Sequence, residues 1–133
     1  LKDMQAVHSF EYGFKESLEE PYGREKLKQA LIDNPPVEHP VIRTHPVTGK
    51  RLIYVNSLFT SKINTLNDSE SRELLSFLCE HIRKEEYQCR FRWKTNSIAF
   101  WDNRSVIHKP DNTYWPQLRR MERITIDDTE SPY

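Results

Sequence analysis

Glycine is scarce. Three glycines occur in 133 residues, at positions 13, 23 and 49 and never clustered, so neither G-x-G-x-x-G nor G-x-x-x-x-G-K-[ST] can be written anywhere in the chain and the glycine-loop nucleotide folds are excluded. Net charge is absent too: twenty Lys and Arg balance twenty Asp and Glu. That removes the global field which draws proteins to nucleic acid or anionic membrane and leaves anion recognition to local groups. Apolar residues make up only 36% and the mean hydropathy is −0.82, with no run near the roughly 20 apolar residues of a membrane span. The two cysteines, Cys79 and Cys89, form neither a C-x-x-C pair nor a disulfide framework and are expected to be free thiols. No charged-then-apolar leader is seen, so the composition reads as cytoplasmic, and the start at Leu1 without an initiator Met suggests a fragment of a longer protein. What is present is aromatic: six Phe, six Tyr and three Trp, 11% of the chain. These are too many for a disordered polar chain, and the length suits one core.

Residues 1–23 show no sustained period and read as mostly loop. Residues 24–33 place Leu27, Ala30 and Leu31 at helical spacing, and Asn34-Pro35-Pro36 stops the pattern. Pro40-Val41-Ile42-Arg43 and Arg51-Leu52-Ile53-Tyr54-Val55 flank a Thr48-Gly49 turn, which predicts a hairpin. Asn67 with Glu70 resembles a capping box, and Leu74, Leu75, Leu78 and Ile82 follow on one stripe, so a helix is expected over about 68–83. Residues 88–93 alternate strictly, Lys94-Thr95-Asn96 is a turn, and residues 97–101 read as a buried strand, giving a second hairpin. The last expected strand is 119–126. This order predicts a mainly β fold with helical insertions, a sandwich or jelly roll in preference to βαβ units.

In that last strand, alternation places Arg119, Met121, Arg123 and Thr125 on one face and Arg120, Glu122, Ile124 and Ile126 on the other. Two arginines with Cα atoms about 13 Å apart on one side either meet solvent or line a pocket for a carboxylate or sulfonate-like anion, which the planar fork of arginine suits. The run Arg90-Phe91-Arg92-Trp93-Lys94 looks like a nucleic-acid patch, but alternation sends Phe91 and Trp93 to the face opposite Arg90 and Arg92. A core strand with a solvated outer face is the better reading, and no nucleic-acid partner is expected. Beyond one His, a two-His-one-carboxylate metal site needs two further ligands, commonly from an H-x-D or H-x-E pair. The five histidines, at 8, 39, 45, 81 and 108, are followed two places on by Phe10, Val41, Val47, Arg83 and Pro110, so the chain cannot form the usual triad.

Four blocks then stand in order: His39-Pro40-Val41-Ile42-Arg43-Thr44-His45-Pro46-Val47-Thr48-Gly49-Lys50; Val55-Asn56 with Phe59-Thr60; Leu74-Leu75 with Phe77-Leu78 and His81-Ile82; and Trp101-Asp102-Asn103-Arg104 with His108, Arg119 and Arg123. Their succession resembles the C-terminal half of the taurine dioxygenase family, Fe(II)- and 2-oxoglutarate-dependent oxygenases on a double-stranded β-helix. The resemblance implies that residues 1–133 are the C-terminal portion of a single dioxygenase domain. It implies His108 as the distal iron ligand, Arg119, eleven residues on, as the partner of the far carboxylate of 2-oxoglutarate, and Arg123, fifteen residues on, as the clamp for the substrate's anionic group. Trp101 would form a wall near the iron. The H-x-D pair belongs to an N-terminal half not found in these residues, so this chain alone is expected to be inactive.

The implied reaction of the complete protein hydroxylates a sulfonate such as taurine at the carbon beside sulfur, using O2 and 2-oxoglutarate and releasing sulfite, succinate and CO2. An alkyl sulfate ester or an aryloxy carboxylate is the alternative substrate, since Arg123 would hold any of these anions. A non-catalytic β-helix remnant that binds a partner or a small anion is the alternative of another class. Small molecules are the expected partners, with homo-oligomerisation left open.

Overall fold

The computed structural model describes residues 1–126. At its centre is a four-residue strand, β1 (Gln5–His8), flanked by β2 (Val37–Pro40) and β5 (Thr60–Ile63) in an antiparallel sheet of order β2-β1-β5. Ala6 faces His39 on one side and Ile63 on the other, and the β1–β5 ladder shifts register between Val7 and His8. None of these three strands stands out in the sequence: each is four residues long, and a Pro closes β2.

The expected hairpin around Gly49 is present as β3 (Ile42–Thr44) and β4 (Arg51–Ile53), with Arg43 opposite Leu52. Its turn is closed by His45 N–H donating to the Lys50 carbonyl at 2.9 Å and Gly49 N–H donating to the His45 carbonyl at 2.9 Å. Gly49 sits at φ +66°, a left-handed conformation that costs a residue without Cβ nothing.

Residues 1–23 are more ordered than a loop, for β1 is followed by α1 (Phe10–Gly13) and α2 (Lys15–Glu19). Ser9 caps α1, its Oγ accepting from Tyr12 N–H at 3.1 Å. The single helix expected over 24–33 is instead two, α3 (Gly23–Lys26) and α4 (Lys28–Asp33), interrupted where Leu27 leaves helical geometry at φ −100°, ψ 6°. A Cβ on Gly23 would lie 2.0 Å from the Ser17 carbonyl oxygen, so the start of α3 can approach α2 only as glycine.

The long helix, α5 (Asp68–Ile82), follows the sequence closely. Asn67 Oδ1 accepts from Ser69 and Glu70 N–H at 3.0 Å each, and Glu70 Oε2 accepts from Asn67 N–H at 3.1 Å, a complete capping box. Its apolar stripe turns toward the sheet: Leu78 joins Ala6, Val41, Val55 and Ile63 in the core, with Leu74, Leu75 and Ile82 packed against them. Ser71 Oγ accepts from Ile63 N–H at 2.8 Å and ties α5 to β5. Truncating the buried stripe residue, Leu78→Ala, is expected to cost about 2–5 kcal/mol, read as a lower denaturant midpoint at unchanged slope.

Beyond α5 and a 3₁₀ turn (Glu85–Tyr87), the described residues form no further strand. The Lys94–Ser97 turn exists, with Ser97 N–H donating to the Lys94 carbonyl at 3.0 Å, but residues 88–93 and 97–101 do not pair across it. This corrects the second hairpin, the buried strand at 97–101 and the strand at 119–126: Ile98 is 91% exposed and Ile124 94%. Phe91 and Trp93 stack edge to face at 4.8 Å between ring centroids but do not enter the core. Alternation specifies which side chains share a face; a strand also needs a backbone partner alongside, and the described residues supply none there. Helix therefore outweighs strand among the described residues, which form two small antiparallel sheets where a mainly β chain was expected.

Candidate functional site

The residues from Trp101 to His108 are anchored by a contact across 57 positions of sequence. His45 is buried at the mouth of the β3–β4 turn. Its Nδ1 accepts from Val47 and Thr48 N–H at 3.2 and 3.3 Å. The ring proton is thereby assigned to Nε2, which donates to Asp102 Oδ2 at 3.1 Å. Arg104 grips the same carboxylate: Nε lies 2.9 Å from Oδ1, a terminal nitrogen 2.8 Å from Oδ2, and the backbone N–H 2.9 Å from Oδ1. These hydrogen bonds from the Arg104 side chain, then its backbone, hold the Asp102 carboxyl well below the usual carboxylate range, with His45 adding to the effect.

Asp102 also turns the chain, its carbonyl accepting from Ser105 and Val106 N–H at 3.1 Å each. Next to it Trp101 Nε1–H donates to Asn103 Oδ1 at 2.8 Å. The Trp101 and His108 rings then come together with centroids 5.1 Å apart. The turn thus brings an indole wall against an imidazole that faces solvent.

The two arginines have other neighbours. Arg119 is exposed, its guanidinium 5.4 Å from the Tyr114 ring centroid, and Arg123 is exposed, its Nε donating to Thr125 Oγ1 at 3.2 Å. No hydrogen bond, ion pair or ring contact among the described residues joins either arginine to His108 or Trp101. Nor do the described residues hold any group of three His, Cys, Asp or Glu able to bind a metal ion, so His108 stands as one donor and these residues do not by themselves fit an iron centre. Cys79 and Cys89 are both free, as expected.

Sequence reasoning missed two clusters. His45 and Asp102 were legible only as members of motifs, since nothing local links residues so far apart. The other cluster is at the sheet: His8 on β1 lies 5.1 Å from His39 on β2 and 5.8 Å from Tyr54, between ring centroids, and the Arg43 guanidinium lies over Tyr54 at 5.0 Å. Burial, then the neighbouring His39, pushes the His8 pKa down to about 4; burial, then the Arg43 charge, lowers that of His39. The unfolded chain takes up a proton near 6.5 while folded His8 takes one only near 4, so between those values the unfolded state binds more protons and stability falls as pH falls. Melting temperature is expected to decline from pH 6.5 to 4, with a shallower slope in His8→Gln.

No helix among the described residues is long and apolar enough to cross a membrane. The model of the taurine catabolism dioxygenase TauD, TfdA family matches residues 1–125. The alkylsulfatase of Acinetobacter baylyi is 33% identical over 128 residues, taking in 94% of this chain and 40% of its own length. The alpha-ketoglutarate-dependent sulfonate dioxygenase of Saccharomyces cerevisiae is 42% identical over 71 residues, 53% of this chain and 17% of its own. Among solved structures, a taurine dioxygenase from Burkholderia xenovorans superposes with a TM-score of 0.59 at 34% identity, covering 78% of this chain and 30% of that one. The chain thus spans less than half the length of each. With the family's model running from the first residue through the site turn and both arginines, the chain belongs to the TauD/TfdA dioxygenase family.

Proposed function

We propose that the complete protein is an Fe(II)- and 2-oxoglutarate-dependent dioxygenase that hydroxylates a small sulfonate such as taurine at the carbon beside sulfur, with this chain as the C-terminal portion of its double-stranded β-helix domain. The family match over residues 1–125 carries the reading; the Trp101–His108 apposition on a pinned turn supports it. When bound, the metal with 2-oxoglutarate and O2 supplies the C–H oxidation, and its remaining ligands are assigned to residues outside this chain.

The chain's own contribution is recognition and orientation. His108 presents one imidazole, and the Trp101 indole beside it restricts the approach. Arg119 offers its fork to the far carboxylate of 2-oxoglutarate, and Arg123 takes the sulfonate, so that one C–H of the substrate is held toward the oxidant. Hydroxylation at that carbon gives a product that collapses to sulfite and an aldehyde.

The alkylsulfatase match favours an alkyl sulfate ester as second substrate class, because the same guanidinium fork suits both anions. Supplying the complete protein with Fe(II), 2-oxoglutarate and either taurine or a short alkyl sulfate separates the two: sulfite release with taurine is expected, sulfate release points to the ester. Absence of substrate-dependent succinate formation with either anion would sink the reading.

A further inference from the structure

We propose that Arg43 is the receptor for an acidic side chain that the rest of the dioxygenase domain inserts against the Arg43–Tyr54–His39–His8 face. Arg43 is only 2% exposed, yet its guanidinium makes no hydrogen bond or ion pair among the described residues, and its Nε is closed off without a partner. His8 Nε2, in the same cluster, is also buried and unpartnered. A buried guanidinium is always charged, and leaving such a charge unpaired is among the most costly features a fold can carry.

The neighbours present do not relieve it. The Tyr54 ring face lies 5.0 Å away and offers only its quadrupole. His8 and His39 are neutral or cationic in any protonation state, so neither supplies a negative charge. The missing element is therefore an anion, and the planar fork selects a carboxylate.

A side chain suits better than a diffusible anion, because so little of Arg43 meets solvent that the partner must arrive with its own backbone to cover the rest. The relatives have the chain to provide one, since the match takes in only 40% of the alkylsulfatase. The inference requires only that residues 1–133 operate within a longer chain; it is independent of the reaction proposed above.

A structure of the complete protein, with a double-mutant cycle built on it, tests this. An Asp or Glu oxygen from outside this chain is expected within about 3.2 Å of the Arg43 guanidinium. Arg43→Met and neutralisation of that acid to its amide should each lower the melting temperature by about 5–15 °C, while the double variant recovers at least half of the loss. Should the single variants not fold, the structure alone decides. A carboxylate of this chain in that place, backbone carbonyls or water alone, or a bound small anion with acetate-dependent melting of the wild type overturns the proposal.

Discussion

Arg119→Ala in the complete protein is expected to raise the 2-oxoglutarate concentration needed for half-maximal turnover, with a far smaller change for the sulfonate, and Arg123→Ala is expected to do the reverse. Each removes the charge-assisted, bidentate partner of a different anion. Loss of such a partner in a closed site typically costs about 2–5 kcal/mol, roughly 30-fold to several thousand-fold in affinity. Arg120 is the internal control: neither anion is assigned to it, so Arg120→Ala should move neither requirement by more than a few-fold. Titrating both substrates against the three variants tests the two assignments directly. A large 2-oxoglutarate effect at Arg120 with none at Arg119 would overturn the assignment of the far carboxylate to Arg119.

The larger effect is expected at His108. Without its imidazole one protein ligand of the proposed centre is lost, and His108→Ala should abolish 2-oxoglutarate decarboxylation by the complete protein while leaving its melting temperature within a few degrees, because His108 is exposed among the described residues, with its ring against that of Trp101. Near-normal succinate production by that variant would remove His108 from the ligand set. Residues 1–133 alone should bind Fe(II) weakly, one imidazole being far from a facial triad.

Which features were legible in the sequence follows from how far each signal travels along the chain. The capping box of Asn67 and Glu70 and the Leu74–Leu75–Leu78–Ile82 stripe act within a few residues, and α5 stands where they put it. The Gly49 turn is equally local. Strand β1 was invisible because Gln5-Ala6-Val7-His8 has too few residues to show alternation; its identity comes from two flanking strands 29 and more positions away. The opposite error occurred at 88–101 and 119–126, where alternation is clear but no partner strand lies alongside among the described residues. At the candidate site, the contact of Trp101 with His108 is a feature of the turned chain, whereas the shared face of Arg119 and Arg123 rests on a strand these residues do not form. The orphaned guanidinium of Arg43 could not be foreseen, for burial is a property of the packed chain.

The clasp between His45 and Asp102 also sets an order of events in folding. Closing a flexible loop of 57 residues costs roughly 3–4 kcal/mol from its length alone, more than one hydrogen bond to a charged group returns, about 1.5–3 kcal/mol. The clasp cannot lead. Val55, Ile63 and Leu78 lie between its two ends and are all in the core, so their collapse shortens the loop still to be closed to the stretch after α5. The β3–β4 hairpin and the α5–sheet core accordingly form first and the Asp102 turn is latched onto them afterwards. The segment that presents His108 is thus a late-ordering unit whose local opening free energy lies below that of the core that holds it.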